Sequence, residues 1–238
     1  MNGTRRRDLE DPYLDSCIAT VTDVDDGWLR LSDSVCFPGG GGQPRDRAVI
    51  EVSGAHLDVA DIRIDEARST WVQVGSGVPI GTDVTCRIDW SYRYSLMRHH
   101  ALMHVVNTVA NRAYGGLQTG TQLGPQRSRI DFQFPDFDRA QLPDFEAAVN
   151  EVIGRDMPIS SAVITEEEFH LRPELIRTKN VQPPVEDGRV RIVEIHGFEA
   201  QACGGTHVHS TGEIGHARID GYDNKGRENK RIYWVLDD

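Results

Sequence analysis

The sequence predicts an α+β chain on three observations. Short apolar segments punctuated by turn residues occupy the first 88 positions, a helical period takes over from Ser91 to Tyr114, and strands and helices then follow in mixed order. The first part reads as strands at Cys17–Val21, Trp28–Leu31, Ala48–Val52, Leu57–Ile64, Thr70–Val74 and Asp83–Ile88, broken at Asp25-Asp26-Gly27, Ser53-Gly54 and Gly75-Ser76-Gly77. Several short strands at near-regular spacing favour a small β-barrel or sandwich. The helix follows Asp89 and Ser91, both N-cap residue types, and stops at Gly115-Gly116. Beyond it come a strand at Arg129–Phe134, a helix over Phe137–Arg155 and a strand at Ile159–Thr165. A short acidic helix at Glu166–Phe169 and strands at Val190–Ile195, Ile214–Ile219 and Arg231–Leu236 complete the reading. The change of period near Ile88 sets two domains, 1–88 and 89–238, the second with an antiparallel sheet.

Composition narrows the classes of function. With 238 residues, 38% of them apolar, the chain can build a sizeable core and is neither disordered nor collagen-like. No apolar run approaches the roughly 20 residues of a membrane span. The N-terminal stretch, with Arg5, Arg6 and Arg7 beside Asp8, Glu10 and Asp11, lacks the apolar segment of a signal peptide, so a cytoplasmic location and no membrane partner are expected. Cys17, Cys36, Cys86 and Cys203 contain no C-x-x-C pair, and no disulfide or disulfide-linked partner is expected. Three of them sit in strand-like surroundings. Cys203 does not.

On a helical wheel with Leu102 at zero, Val105, Val106, Val109 and Ala113 fall within roughly 60° of it, whereas His100, His104, Asn107 and Asn111 fall between roughly 140° and 200°. His100 and His104 are therefore one turn apart on one face and within reach of one ion. Taken alone, such a pair is more often two hydrogen-bonded histidines. The segment Cys203-Gly204-Gly205-Thr206-His207 changes that reading, because two glycines let a thiolate and an imidazole four residues apart converge on one point. Sulfur with imidazole suits zinc, not Mg²⁺ or Ca²⁺, and one Zn²⁺ per chain is expected. Position 101 is Ala, so the H-E-x-x-H protease arrangement with its built-in base is absent. Cys203 as a covalent nucleophile is the rival use of the same sulfur. His99, His196, His209 and His216 default to structural or surface roles, as do His56 and His170. The run Gly39–Gly42 is no phosphate-cradling loop, since Gln43-Pro44 follows in place of Gly-Lys-Ser/Thr.

His100-x-x-x-His104 with Cys203-x-x-x-His207 about a hundred residues later resembles the editing domain of alanyl- and threonyl-tRNA synthetases and their free-standing relatives. The segments Cys203–Val208, Thr211–Gly215, Ser128–Phe132 and Gly226–Arg231 resemble the alanyl branch. Phe37-Pro38-Gly39-Gly40-Gly41-Gly42-Gln43-Pro44 is similar to the glycine-rich motif of the longer AlaX proteins. The resemblance spans nearly the whole chain and implies an AlaX-type aminoacyl-tRNA deacylase with an N-terminal translation-factor-like β-barrel and a C-terminal α+β zinc domain. It implies metal ligands His100, His104, Cys203 and His207, with no catalytic residue beyond that site and its water. Substrate contacts are implied at Gly40, Gly41, Gly42, Gln43, Thr121, Gln122 and Thr206. Two positions depart from the family pattern: Ala101 where Thr is usual, and Gly39 where Glu is common.

A net charge of −11 argues against a general nucleic-acid binder, but the charge is uneven. Between Arg87 and Arg129 there are six basic residues against the single Asp89, and Lys225, Arg227, Lys230 and Arg231 form a second group. Arg93, Arg98, Arg127, Arg129 and the second group are the expected contacts to a misacylated tRNA. The implied function is trans-editing of Ser- or Gly-tRNA(Ala). The alternatives are the same chemistry on a threonine-like or non-standard aminoacyl-tRNA, or a zinc-stabilised tRNA-binding module without turnover.

Overall fold

The computed structural model describes residues 3–75, 77–175, 185, 187–226 and 229–237. Arg227, among the expected tRNA contacts, lies outside them. The strands are β1 (Arg5–Arg6), β2 (Ser16–Asp25), β3 (Trp28–Leu31), β4 (Asp33–Ser34), β5 (Ala48–Val52), β6 (Ala55–Asp58), β7 (Asp61–Ile64), β8 (Thr70–Gln73) and β9 (Asp83–Ile88). They continue with β10 (Leu117–Gln122), β11 (Ser128–Gln133), β12 (Ile159–Thr165), β13 (Arg189–Ile195), β14 (Glu199–Ala202), β15 (Ala217–Asn224) and β16 (Asn229–Leu236). The α-helices are α1 (Arg7–Glu10), α2 (Trp90–Tyr114), α3 (Leu142–Ile153) and α4 (Glu166–His170). The mixed α+β class with antiparallel sheets is as the sequence predicts. Two compact units divide the chain, Met1–Gly40 with Pro44–Tyr94, and Gly41–Gln43 with Ser95–Asp238.

The first unit is built on one seven-stranded sheet in the order β6-β5-β9-β2-β3-β8-β7. Ten-residue β2 serves both halves: Ser16–Thr20 pair with β9, and Val21–Asp25 pair with β3. The two edges, β6 and β7, are not paired with each other among the described residues, so the ladder is open where the sequence suggests a barrel. The expected strand Leu57–Ile64 is two strands for a visible reason. Val59 N–H donates to Ala48 O at 3.0 Å and Ala60 N–H to Gln73 O at 2.8 Å, so the chain changes partners between those residues. Alternating inward side chains, including Leu29, Leu31, Ile50, Val72, Val84, Cys86 and Ile88, form its core.

Arg93 belongs to that core. Its Nε donates to Asp46 Oδ1 at 2.8 Å, its Nη2 to Asp46 Oδ2 and to Val35 O at 2.7 Å, and its Nη1 to Pro12 O at 3.1 Å. Both partners of the ion pair are fully buried. Burial alone would lower the Arg93 pKa, but the bonds and charge of Asp46 raise it above its usual value. The sequence reading that places Arg93 on tRNA is therefore corrected: the guanidinium is fully buried, and four of its five N–H groups donate to these partners inside the protein.

In the second unit α2 is buried almost all round from Leu96 to Ala110. Asp89 caps it, its Oδ1 accepting Tyr92 N–H at 3.0 Å. At the other end Gly115 takes φ +66° and its N–H reaches back to Asn111 O at 3.1 Å, an αL closure, while Gly116 N–H meets Ala110 O at 3.0 Å. One sheet runs β10-β11-β16-β15 and another β12-β13-β14. Phe132, Phe134, Phe145 and Trp234 fill the space between the first sheet and its helices, with Phe145 edge-on to Trp234 at 5.7 Å. The expected strand at Ile214–Ile219 begins later, at Ala217, because Thr211–Ile214 form a 3-10 turn under a Ser210/Glu213 capping box. β10 and β14 escape the sequence reading. Gly120 interrupts the first with a bulge, and the second is only four residues long.

Candidate metal centre

Two stretches of the second unit supply four donors. The buried middle of α2 presents His100 and His104, and the loop after β14 presents Cys203 and His207. Arg191 of β13 shapes that loop: its backbone O accepts Cys203 N–H at 3.0 Å, while its Nη1 donates to Cys203 O and Gly205 O, each at 2.9 Å. One ligand atom from each of the four residues falls within a group no wider than 4.8 Å. The separations are 3.4 Å from Cys203 Sγ to His100 Nε2, 3.6 Å from Cys203 Sγ to His207 Nε2, and 3.1 Å from His207 Nε2 to His104 Nε2. An ion held tetrahedrally at zinc–ligand lengths requires edges of about 3.4 Å between nitrogens and about 3.6 Å between nitrogen and sulfur. The donor set fits a metal ion. The three histidines are buried and Cys203 is partly exposed, so its side is the accessible one.

The electrostatics suit a cation. Burial would raise the Cys203 thiol, but His100 and His207 hold it well below its ordinary value. Burial would lower His104, but the Glu199 carboxylate and the Cys203 sulfur raise it to about 10. Burial, reinforced by the nearby His100, pushes His207 well below its usual value. His99, beside the cluster in sequence, is driven to about 4 by burial and by Arg98.

Behind the donors stands a layer of polar groups. His104 Nδ1 lies 2.7 Å from Glu199 Oε1, and since a carboxylate only accepts, that nitrogen carries the hydrogen and Nε2 faces the cluster. The Gln201 amide lies against the same ring. Glu199 is absent from the sequence-based set. Its signal is weak, an acidic residue four positions before Cys203 in a strand too short to show a period. Glu199 Oε2 and His207 Nδ1 are buried without a hydrogen-bond partner among the described residues.

The remaining expected residues separate into groups. Gly42, Thr121 and Leu123 meet: Leu123 N–H donates to Gly42 O at 2.8 Å, and a Cβ on Gly42 would lie 2.7 Å from Thr121 O. Gly40 and Gly41 are exposed, with open space where a side chain would stand. Gln122 accepts from Arg129 Nε at 2.9 Å. Gln43 and Thr206, expected against the substrate, are buried and bonded to each other, and Gln43 also bonds His100.

Of the basic residues, Arg231 forms a two-bond pair with Asp131 at 2.6 and 2.8 Å, which Arg129 joins at 2.7 Å. Arg98 donates to Ile214 O, and Arg127 pairs with Asp220 at 2.9 Å while lying 4.0 Å from the centre of the Tyr233 ring. Lys225 is exposed. Lys230 is buried, its Nζ holding Asn224 Oδ1 and Gly226 O at 2.8 Å each, so it braces the β15–β16 hairpin in place of meeting tRNA.

Fold and centre together define an α+β chain with a largely buried His/Cys cluster able to hold a metal ion. Residues 190–233 match the family described as the threonyl and alanyl tRNA synthetase second additional domain. Over 235 residues the chain is 35% identical to the alanyl-tRNA editing protein AlaX-M of Methanosarcina barkeri, covering 96% of this chain and 97% of that one. It is 36% identical over 218 residues to an alanine–tRNA ligase of Korarchaeum cryptofilum, covering 88% of this chain and 24% of the ligase. With the alanyl-tRNA editing protein Aarsd1-A of Xenopus laevis it shares 33% over 203 residues, 85% of this chain and 47% of the relative. The chain belongs to the family of AlaX-M alanyl-tRNA editing proteins.

Proposed function

We propose that the chain is a zinc-dependent aminoacyl-tRNA deacylase that edits in trans, hydrolysing the ester of Ser- or Gly-tRNA(Ala) in the cytoplasm. Residues 1–88 act as its translation-factor-like N-terminal β domain, built on the open seven-stranded sheet, and 89–238 as its zinc-binding editing domain. One observation carries the reading: a cysteine sulfur and three imidazoles brought within 4.8 Å, in a chain whose relatives of matching length are named alanyl-tRNA editing proteins.

His100, His104, Cys203 and His207 would hold one Zn²⁺ per chain. When bound, it supplies a Lewis acid that activates water or polarises the ester carbonyl. The chain's own residues do the rest. Burial of the three rings excludes bulk water from all sides but that of Cys203, and electrostatic effects strengthen in such a site. Gly40 and Gly41, with open space where a side chain would stand, leave room for the acceptor end to approach backbone, and Gly42, packed on Thr121, with Thr121 and Gln122 are the further proposed contacts. Arg98, Arg127, Arg129, Lys225 and Arg231, together with Arg227 by its sequence position alone, are the proposed basic contacts for tRNA; Arg93 and Lys230 are buried and bonded within the protein. The net charge of −11 keeps that binding weak and dependent on this local surface.

Zinc analysis together with deacylation of Ser-, Gly-, Ala- and Thr-tRNA panels tests the proposal. Expected are one zinc per chain, hydrolysis of Ser- or Gly-tRNA(Ala) with Ala-tRNA(Ala) spared, and rates that fall with salt. A zinc-loaded protein without turnover on any ester would make it a binding module, and one that clears only a threonyl ester would move the specificity.

A further inference from the structure

The glycine run ends in Gln43, whose side chain is 2% exposed and lies against a metal donor. We infer that Gln43 is a positioning residue of the metal centre, fixing the orientation and tautomer of His100, and that the glycines before it serve to deliver it there. This rests on the proposal that the four donors hold zinc.

The hydrogen bonds settle the amide's orientation. Gln43 Oε1 is 3.1 Å from Thr206 N, a backbone donor, so that end of the amide is the acceptor. Its Nε2 donates to Thr206 Oγ1 at 2.8 Å. The same Oε1 lies 2.8 Å from His100 Nδ1. An acceptor so placed requires the hydrogen on Nδ1, which leaves the Nε2 lone pair directed at the cluster, 3.4 Å from Cys203 Sγ. Gln43 is thus to His100 what Glu199 is to His104.

The backbone around it is arranged for that delivery. Gly39, Gly40, Gly41 and Gly42 all take positive φ, at +94°, +136°, +60° and +88°, a sequence of conformations that L side chains resist. On the opposite side Gly205 is required because a Cβ there would overlap the His100 ring and stand 2.8 Å from Gln43 Oε1. Two glycine motifs some 160 residues apart therefore frame one hydrogen bond.

The test measures zinc affinity by competition with a chromophoric chelator for the full chain, Gln43→Ala and Gln43→Glu, with ¹⁵N spectra of the imidazoles as a second readout. Gln43→Ala is expected to bind zinc about 10–100-fold more weakly. Gln43→Glu keeps both acceptor contacts, and the Thr206 hydroxyl can turn to donate to it, so this variant is expected to hold zinc at least as tightly as the parent. In the parent, His100 should appear with its hydrogen on Nδ1, whether or not zinc is present. Should Gln43→Ala fail to fold, Gln43→Leu, closer in volume, takes its place. Parental affinity in Gln43→Ala, equal weakening in Gln43→Glu, or a parent His100 protonated on Nε2 overturns the inference while leaving the metal centre standing. A parent that takes up no zinc overturns the proposed function itself.

Discussion

Gly205→Ala makes a stringent probe of the metal centre because one methyl group tests both its donors and its support. Gly205 does not need glycine for its backbone, which lies outside the left-handed region; it needs it for space. The added Cβ would approach Cε1 and Nδ1 of His100 and Gln43 Oε1, all under 3.0 Å, a separation real Cβ atoms essentially never show. Carbon–carbon contacts settle at about 3.5–4.0 Å, so the imidazole must withdraw by on the order of 1 Å. Metal–ligand lengths tolerate only about ±0.2 Å, and a ring displaced that far is no longer a ligand in the same geometry. The variant should lose at least the 10–100-fold in zinc affinity that an outer partner contributes, about 1.4–2.7 kcal/mol. Overpacking should cost the metal-free fold a further 1–3 kcal/mol, roughly. Chelator competition gives the first quantity and denaturant titration of the metal-free protein the second. If Gly205→Ala bound zinc at parental strength, His100 could not stand where the cluster requires it.

Three further outcomes follow from particular contacts. Arg93→Ala strands Asp46 as a buried, unpaired carboxylate and should cost about 3–5 kcal/mol, read as a lowered urea midpoint; an unchanged midpoint with weakened tRNA binding would return Arg93 to the surface role its sequence suggests. Asp131 is held below the usual carboxylate range: burial opposes this, but Arg231 and Arg129 outweigh it. Its folded pKa lies below its unfolded value of about 3.9, so its contribution is complete above about pH 5 and fades as pH falls through the folded pKa. Asp131→Asn should therefore melt below the parent at pH 7, and the gap should close toward pH 2; a gap independent of pH would refute the assignment. Stripping zinc with a chelator should lower the melting temperature and abolish deacylation, both restored by added zinc. With free zinc at 100 times its dissociation constant the linkage is worth about 2.7 kcal/mol.

Much of this is legible in sequence because it rests on local rules. The 25-residue α2 announces itself through its period, its Asp89 cap and its Gly115-Gly116 stop, and the i, i+4 spacing puts His100 and His104 on one face without further information. The Cys203–His207 loop is equally local, since its glycines and donors lie within five residues. That these two pairs meet is not a local fact. It depends on the β13–β14 ladder and on Arg191 holding two carbonyls of the loop, contacts that no periodicity reports.

The same division separates residue types that are legible in sequence from their places in the fold, which are not. Arg93 and Lys230 look like surface cations because charge is usually solvated; a carboxylate at Asp46 and the carbonyls of a hairpin turn convert them into buried braces. Gln43 is the reverse case, expected against the substrate and found buried on Thr206 and His100. A glycine run beside a reaction site suggests a surface for substrate, and Gly40 and Gly41 retain that open space. Gln43, however, has its carbonyl shared between Thr206 N–H and His100 Nδ1, and the amide has no acceptor site turned to spare toward a ligand without giving up one of them. The specificity of the run thus divides within four residues, with exposed backbone at its start and a buried brace at its end. That division is why substitution at Gln43 should act through metal affinity, whereas enlarging Gly40 or Gly41 should act through the substrate.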